Sequence, residues 1–597
     1  MIQYKIPKKG VYTMKGIIKK VAAVLLAAPM LVAAAACAGL GGDNNAVPTE
    51  KVDKNRTQLY VFNYHGGYGS QWLLNVKKEF EELHKDDDWW ETGKKGVQIM
   101  IHAAKKDIIP GGVPGGQDEV FFAETAYYYT FKQFDALEDI TEAVTGEIEG
   151  DNGKSIESKL TAEQKAYYGL EESDGKVHYY GLPHYDSFAG IMYNKAVFDK
   201  YLLYFAAEPD EQVSGLEKYF VFRRFDNNEV TAKSVGPDGE PGTDDDGLPS
   251  TFDEFWILMK YMREKGVTPI VWNGYRYHSY LNWFLQALTA QYEGLDEMMK
   301  NFTLTGEAND LGSVDGEGNF VFDDEPTELT DSKDGVVALS RQAGKYYALK
   351  FLQELVSFSK DKDGGYTHKE VYNEGYMHTM AQRDFIVGAA DGHNQDIGML
   401  IEGIWWENEA KNNNSFKTAA AFGVTDTDYA LMPLPHATAE KYEEVTAKNK
   451  EDGTPTNVLY DQLFSLVFVK RGISAAKKPL AIEFIKFCNS DEQLVKYSLT
   501  TNTVKSLTYE IPKEQLKEMT PFGQSIYKLK QKSDVIYPFA QSKIYINNQA
   551  RFHAFGAFWS TTKSQSYQWA TEAMRGGVNA KTYFEGLETY NKNYKWL

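Results

Sequence analysis

The sequence predicts an α/β protein with mainly parallel sheets and at least two lobes. Residues 59–63 form an apolar strand pattern, a glycine-rich turn and a helical pattern from Trp72 to Phe80 follow, and residues 97–102 form a second strand pattern. This strand, turn, helix and strand order is typical of a βαβ unit. Without its first 36 residues the 597-residue chain keeps about 560, more than the roughly 100 to 200 residues of one domain.

The amino terminus has the pattern of an export signal. Lys15, Lys19 and Lys20 precede an apolar run over residues 21–36, which ends at Cys37. The run is shorter than the roughly 20 residues of a membrane-spanning helix. We therefore predict a signal peptide over residues 1–36 that is removed from the mature chain.

The small residues before Cys37 resemble a bacterial lipobox, so we predict lipidation of Cys37 and a flexible tether over residues 37–54. An ordinary signal peptide cut within the alanine-rich stretch is the alternative. The sequence leaves open whether the chain starts at Met1 or at Met14.

Charge and cysteine content exclude several classes of protein. Loss of residues 1–36 removes six lysines and no acidic residue, which moves the formal net charge from −20 to −26. This acidic balance argues against nucleic-acid binding, since the non-specific part of that affinity needs Lys and Arg to neutralise phosphates. The only cysteine after Cys37 is Cys488, which excludes a disulfide scaffold.

The turn at Gly66, Gly67 and Gly69 does not have the spacing of a phosphate-binding loop, and no Lys followed by Ser or Thr comes after it. It is either a site where backbone amides approach a polar ligand or only a tight turn.

Four motifs occur along the chain in an order that resembles one known family. They are residues 181–186 followed by 191–195, residues 403–410 with Trp405 and Trp406, residues 461–469, and residues 557–560 with Trp559. They resemble the extracellular solute-binding proteins of bacterial ABC sugar importers, the relatives of maltodextrin-binding protein. The resemblance extends over nearly all of the mature chain.

The resemblance implies a periplasmic-binding-protein-like, or Venus flytrap, fold with three crossovers between two lobes. Lobe one would comprise residues 55–183 and 435–533, and lobe two residues 184–434 and 534–597. It further implies a monomeric binder without catalytic activity, lipid-anchored on the outer face of the cell membrane, which passes an oligosaccharide to an ABC permease.

Sugar rings have apolar faces and polar edges, so a sugar site combines aromatic rings with carboxylate, amide or guanidinium groups. Ligands of open α/β sheets bind at the carboxyl ends of strands. For each aromatic candidate burial in the core is the alternative, and for Glu124 and Asp186 a surface or capping role. The candidates are Tyr64, Glu124, Tyr185, Asp186, Trp272, Tyr275, Trp405, Trp406, Arg551 and Trp559.

Residues 234–249 form an acidic, glycine-rich loop in lobe two. Carboxylates between glycines can surround a hard cation such as Ca²⁺, and Asp238, Asp245 and Asp246 are the candidate ligands of a structural calcium ion. The alternative is a solvated turn in which Asp and Gly serve backbone geometry. Thr251 and Glu254 predict a capping box at the next helix.

Two other functions compete with sugar binding. One is binding of a peptide or other non-sugar ligand by the same fold. The other is a secreted glycoside hydrolase, which needs two carboxylates roughly 5 to 9.5 Å apart across the scissile bond. The sequence does not encode which sugar, chain length or linkage is bound.

Overall fold

The computed structural model describes residues 47–125, 127–223, 230–359, 365–425, 428–437, 457–462, 465–555 and 568–597. The strands are β1 (Thr57–Tyr64), β2 (Val97–Ala104), β3 (Val120–Ala123), β4 (Gly169–Glu171), β5 (Val177–Tyr179), β6 (Ala189–Asn194), β7 (Thr268–Trp272), β8 (Glu307–Ala308), β9 (Gly312–Val314), β10 (Phe320–Phe322), β11 (Thr327–Glu328), β12 (Ile397–Gly403), β13 (Tyr429–Met432), β14 (Val458–Tyr460), β15 (Leu466–Val469) and β16 (Asp534–Ile536).

The α-helices are α1 (Gln71–Leu83), α2 (Tyr128–Gln133), α3 (Thr141–Thr145), α4 (Ala162–Tyr168), α5 (Lys195–Tyr201), α6 (Phe252–Glu264), α7 (Tyr277–Thr303), α8 (Lys333–Leu339), α9 (Ala343–Phe358), α10 (His378–Val387), α11 (Trp406–Asn412), α12 (Ser415–Ala421), α13 (Lys478–Cys488), α14 (Asp491–Thr501), α15 (Lys513–Leu516), α16 (Pro521–Lys532), α17 (Lys543–Asn547), α18 (Gln549–Phe555), α19 (Ala570–Arg575) and α20 (Ala580–Asn593).

The first lobe is built on a four-stranded sheet of order β15-β3-β1-β2. Strand β1 pairs in parallel with β2 and β3, and β15 joins β3 antiparallel. Strands β3 and β15 are apolar and buried along their whole length, as expected of a sheet that is covered on both faces, whereas the edge strand β2 is buried only over residues 97–99. The βαβ unit predicted from residues 59–102 is present as β1, α1 and β2.

The second lobe is built on a four-stranded sheet of order β13-β6-β12-β7. Strand β12 is parallel to β7, whereas β6 runs antiparallel to both β12 and β13. This sheet is therefore mixed rather than mainly parallel. The long helix α7 bends at Gly294, whose φ of 74° leaves the helical range, and packs against α9 and β14. The predicted two-lobed α/β fold is confirmed.

The lobes are joined where three stretches of chain run side by side. Leu182 pairs with Val467 and Phe188 with Asp461, so the first crossing segment lies antiparallel to the second. Tyr185 pairs with Lys505 of the third. We call these three stretches the hinge.

A buried carboxylate lies at the centre of the hinge. Asp186 is fully buried; its Oδ2 accepts a hydrogen bond from Lys530 Nζ at 2.6 Å and its Oδ1 one from the Tyr537 hydroxyl at 3.0 Å. Its backbone carbonyl accepts another from the Tyr68 hydroxyl, 2.9 Å away. Burial raises the pKa of Asp186, while Lys530 acts in the opposite direction. Such a pair is strongly destabilising to break, because one partner would remain buried and uncompensated.

A second buried group, Lys505, lies beside Asp186 in the hinge. Its Nζ is 2.8 Å from His184 Nδ1 and lies 4.8 Å from the centre of the Tyr497 ring and 5.2 Å from that of Trp72. No carboxylate lies within ion-pair distance of Lys505 in the described part of the chain. Burial lowers the pKa of Lys505 to about 7.

The third crossing comes earlier in the chain than residue 533, where the sequence analysis places it. After passing Tyr185 at Lys505, the chain forms α16, which packs on β13 of the second sheet. Its Phe522 ring lies 5.3 Å from that of Trp406, and Ser525 Oγ accepts a hydrogen bond from the Leu431 amide. Helix α16 therefore lies on the second lobe, although its residues were assigned to lobe one.

A strap over residues 47–56 lies against the first lobe ahead of β1. Glu50 forms an ion pair with Lys77 at 3.0 Å, and the side chain of Gln98 bonds to the Lys51 carbonyl and to the Asp53 amide. Residues 47–50 and 100–103 face each other across a cavity of about 370 Å³. Much of the predicted tether is thus packed on lobe one.

Three smaller findings complete the fold. The capping box predicted at Thr251 and Glu254 is present at α6. Cys488 is buried, and burial raises the pKa of its thiol to about 12. Among the described residues, no helix is long and apolar enough to cross a membrane. The predicted signal peptide and Cys37 lie outside the described residues.

We expect Lys505 to make stability increase with pH above neutrality. Its folded pKa is about 7, whereas an unfolded lysine titrates near 10.4, so the unfolded state binds more protons between these values. The slope is about 1.4 kcal/mol per pH unit for each such lysine. Buried Lys345, with its pKa also lowered to about 7, adds a second equal contribution.

Urea unfolding of wild type and Lys505→Met between pH 7.5 and 9.5 measures this slope, which should fall by about half in the variant. Lys85→Met serves as the control, because the Lys85 side chain is exposed. Equal slopes in wild type and Lys505→Met would contradict the assignment.

Candidate functional site

The first-lobe edge of the candidate site follows the carboxyl ends of β1 and β3. Tyr64 ends β1, Glu124 follows β3, and both side chains are half-buried. The intervening glycine turn is held by Asn63, whose Nδ2 donates to the Gly69 carbonyl at 3.1 Å and to Ser70 Oγ at 2.9 Å. The turn is tight because Gly67 and Gly69 both have positive φ.

The second-lobe edge follows the carboxyl end of β12. Glu402 is the penultimate residue of the strand, Trp405 precedes α11, and Glu409 lies within that helix. The Trp405 ring packs edge-on against Trp283 of α7, with ring centres 6.0 Å apart, and Trp283 packs against Tyr280 at 4.8 Å. Aromatic rings and carboxylates are thus combined at this edge.

The two edges meet. A Cβ added to Gly67 would lie 3.3 Å from Trp405 Cβ, and one added to Gly69 would lie 3.6 Å from Asn412 Nδ2. Nearby, Asn408 Nδ2 donates a hydrogen bond to the Thr501 carbonyl across the lobes. The glycine turn of lobe one therefore packs directly against the start of α11 in lobe two.

Carboxylates dominate the electrostatics between these edges. Burial raises the pKa of Glu124 to about 8, with further contributions from the negative charges of Asp107 and Glu409, while a hydrogen bond from Tyr64 opposes the shift. Burial also raises the pKa of Glu402 well above its usual value, and Glu409 adds to that shift. Glu409 of lobe two thus acts on acidic groups of both lobes.

The structure brings together four of the predicted site residues at or beside these edges: Tyr64, Glu124, Tyr185 and Trp405. Tyr185 is half-buried, its ring centre 4.7 Å from that of Tyr68, and the charge of Glu124 contributes to its raised pKa. Tyr275, after β7, is also half-buried, and its amide donates to the Tyr376 carbonyl. The Arg276 guanidinium lies over the Tyr275 ring.

Three predicted ligand contacts need correction, and a fourth, that of Arg551, stays a prediction. Trp272 and Trp406 are completely buried in the second lobe, Trp272 against Tyr372 and Trp406 between Phe385, Tyr429 and Phe522. Asp186 is enclosed in the hinge, as described above. The Arg551 guanidinium lies over Tyr594 and Tyr590, near the carboxyl terminus. Trp559 lies outside the described residues.

The carboxylates of the acidic loop are engaged within the loop. Asp245 accepts hydrogen bonds from the Asp238 amide at 3.0 Å and from the Thr243 hydroxyl at 2.5 Å, and Asp246 accepts one from the Gly242 amide at 2.8 Å. Lys532 Nζ lies 3.4 Å from Asp238. In the described ranges no group of three or more His, Cys, Asp or Glu is arranged to hold a metal. Calcium binding at this loop stays a prediction.

Sequence reasoning missed Tyr280, Trp283 and Glu402 as part of the site. Tyr280 and Trp283 are three residues apart in α7, a spacing that places two side chains on one face of a helix. That spacing was a usable signal. The sequence contains no such signal for Glu402, because a single acidic residue at the end of an apolar strand does not reveal whether its side chain faces the core or the cleft.

Neither a protein-family model nor a curated protein matches the sequence. Among solved structures, the chain is similar to a chitin oligosaccharide binding protein, with 13% identity over 90% of this chain and 98% of that chain and a TM-score of 0.46. It is also similar to RafE from Streptococcus pneumoniae in its apo form, with 13% identity over 91% and 99% of the two chains and a TM-score of 0.48.

A third similar structure is the GacH receptor of Streptomyces glaucescens, with 14% identity over 90% of this chain and 100% of that chain and a TM-score of 0.47. The architecture consists of two sheets, each with its own helices, which are joined by three crossing segments. The chain has a two-lobed α/β fold with three crossing segments. In this fold the edges at Tyr64 and Trp405 are the two walls of the interlobe cleft.

We expect Gly67→Ala to weaken ligand binding by about tenfold or more, equivalent to about 1.4 kcal/mol. The new methyl group would press on Trp405 Cβ and keep the cleft walls apart. Gly93→Ala is the matched control, since Gly93 also has a positive φ of 81° but no atom within 4 Å of an added Cβ.

Both variants should lose about 1 to 2 kcal/mol of stability through backbone strain. Affinity is measured by titration calorimetry and stability by urea unfolding. An unchanged affinity in Gly67→Ala would show that the turn does not approach Trp405 in the bound state.

Proposed function

We propose that the protein is the extracellular substrate-binding component of a carbohydrate ABC importer. The observation that carries the proposal is the pairing of Trp405, Trp283 and Tyr280 on one cleft wall with Tyr64 and Glu124 on the other. Flat rings suit the apolar faces of sugars, and carboxylates suit their hydroxyl groups. The similar structures include RafE in complex with raffinose and GacH in complex with acarbose.

Binding would work by hinge closure. The sugar contacts both walls, so it binds the closed form better than the open form and shifts the equilibrium between them. The closed protein, acting as a monomer, then presents the sugar to a membrane permease powered by a separate ATPase. A ligand-binding role needs no catalytic residue, and we propose none.

The adjacent residues Trp405 and Trp406 offer a test of the site. Trp405→Ala should abolish measurable oligosaccharide binding with little loss of stability, because its ring is only half-buried on a cleft wall. Trp406→Ala should destabilise the protein by about 3 to 5 kcal/mol, because it removes a fully buried ring from the core of lobe two.

The ligand is first found by a thermal-shift screen against neutral oligosaccharides, with peptides as controls. Small-angle scattering with the best ligand should show compaction in wild type and none in Trp405→Ala. Failure of every oligosaccharide to bind, or release of reducing ends during incubation, would contradict the proposal and favour a non-sugar binder or a hydrolase respectively.

We further propose that Cys37 is lipidated and anchors the protein to the outer face of the cell membrane. A diacylated cysteine gives stable attachment to a membrane, because two acyl chains bind a bilayer stably whereas a single chain binds it only marginally. Cys37→Ser should move the protein from the membrane fraction to the medium. Mass spectrometry of the mature amino terminus checks the anchor directly, and an unmodified residue at that position would contradict it.

A further inference from the structure

A buried lysine and a buried asparagine lie side by side in lobe two. Asn301 belongs to the last turn of α7, and Lys345 belongs to the first turn of α9. Lys345 Nζ is 2.6 Å from Asn301 Oδ1, and the two residues are 2% and 5% exposed respectively. Because a C=O bond is about 1.2 Å long, the amine lies no more than about 3.8 Å from the amide carbon Cγ. A nucleophilic atom and a carbonyl carbon are therefore held close together.

The side-chain amide of Asn301 is fixed in orientation. Its Nδ2 donates hydrogen bonds to Gln342 Oε1 at 2.7 Å and to the Met298 carbonyl at 3.1 Å. These bonds leave the carbonyl side of the amide facing Lys345. Positioning of this kind is what an intramolecular reaction between two side chains requires.

Lys345 is held as an amine between uncharged oxygens. Its Nζ donates to Asn301 Oδ1 and, also at 2.6 Å, to the Leu339 carbonyl. Burial lowers the pKa of Lys345 to about 7, although the charges of Glu293 and Asp310 oppose the shift. About half of the side chain is then neutral at neutral pH, and a desolvated neutral lysine is a nucleophile.

Glu293 places an acid beside this pair. The residue is 1% exposed, and its Oε1 accepts a hydrogen bond at 2.6 Å from the amide of Gly344, the residue before Lys345. Its carboxyl group also shares a hydrogen bond with that of buried Asp310, which requires a proton between them. Burial and the charge of Asp310 raise the pKa of Glu293 well above its usual value, so Glu293 holds this proton.

We propose that Lys345 and Asn301 join in an intramolecular amide bond, with Glu293 as the proton carrier. A bond forms between Nζ and Cγ, the bond between Cγ and Nδ2 breaks, and ammonia leaves. One proton passes from Nζ to the departing nitrogen by way of Glu293, which ends the reaction in the state in which it began. No oxidant or other reactant is consumed.

The bond closes a covalent loop over residues 301–345, which contains β8 to β11 and α8. Exported proteins commonly close such loops with disulfides. This chain has only two cysteines, and Cys488 is buried as a free thiol. An amide between two side chains restricts the unfolded chain in the same way without cysteine. The inference concerns lobe two alone and is independent of what the cleft binds.

Peptide mapping of the folded wild-type protein, denatured before digestion, tests the bond. Trypsin cuts after Lys and Arg, so unreacted protein yields Asn301 in the peptide 301–333 and Lys345 at the end of the peptide 342–345. After the reaction trypsin does not cut at Lys345, and we expect one branched species that joins residues 301–333 to residues 342–350. Its mass is the sum of the two peptides less one molecule of ammonia.

Lys159 is the control for complete digestion. It is as buried as Lys345, at 2% exposed, but its Nζ pairs with the carboxylate of Asp151 at 2.6 Å. Trypsin should therefore cut after Lys159 in the same digest. Cleavage after Lys345 together with a free peptide 301–333 in wild type overturns the inference, and this result needs no variant.

Two variants test the role of Glu293. Glu293→Gln keeps the size of the side chain but removes the acid, so the branched peptide should be lost and both linear peptides should appear. Glu297→Gln is the matched control, because Glu297 is also buried in α7 but pairs with Lys300, and it should retain the branched peptide. A branched peptide that persists in Glu293→Gln overturns the assignment of the proton carrier.

The pH dependence of stability is a second readout. Before the bond forms, Lys345 and Lys505 both contribute to the slope above neutrality. In protein that has formed the bond, Lys345 no longer titrates, so Lys505→Met should abolish the slope rather than halve it. A halved slope in protein from which the branched peptide is recovered in full contradicts the inference.

Discussion

The carboxylate of Asp186 is the interaction on which the two-lobed arrangement depends. It lies on the first crossing segment, yet its partners Lys530 and Tyr537 come from the part of the chain beyond the third. A charge taken fully out of water must find such partners, and these define the relative positions of the strands that cross between the lobes. Because β3 ends and β6 begins beside the same segment, the hinge also determines how the two cleft walls face each other.

The sequence predicted the architecture well where local pattern decides it. The β1, α1 and β2 unit follows from buried apolar runs separated by a glycine turn, and the capping box at Thr251 follows from two residues at fixed spacing. The lobe assignment of α16 did not follow from the sequence. An amphipathic helix shows that one face is covered, but only the packing of Phe522 on Trp406 shows which sheet covers it.

The candidate site shows the same division between local and tertiary information. Trp405 and Trp406 are adjacent in the sequence. At the start of α11, however, the Trp405 ring lies half-buried at the cleft wall, whereas the Trp406 ring lies in the core. Asp186 was a reasonable ligand candidate because it follows an aromatic residue near a strand end. Its burial in the hinge depends on Lys530, 344 residues further along the chain, which no local pattern could connect with it.

The strap ahead of β1 has a consequence for the proposed lipid anchor at Cys37. Residues 47–50 face residues 100–103, which lead toward the carboxyl end of β2, so the chain reaches lobe one at the cleft end of its sheet. Between Cys37 and Val47 there are ten peptide steps, which span at most about 36 Å. With the proposed anchor at Cys37, this length limits how far lobe one can lie from the bilayer, and the cleft end of its sheet is the part kept nearest to the membrane.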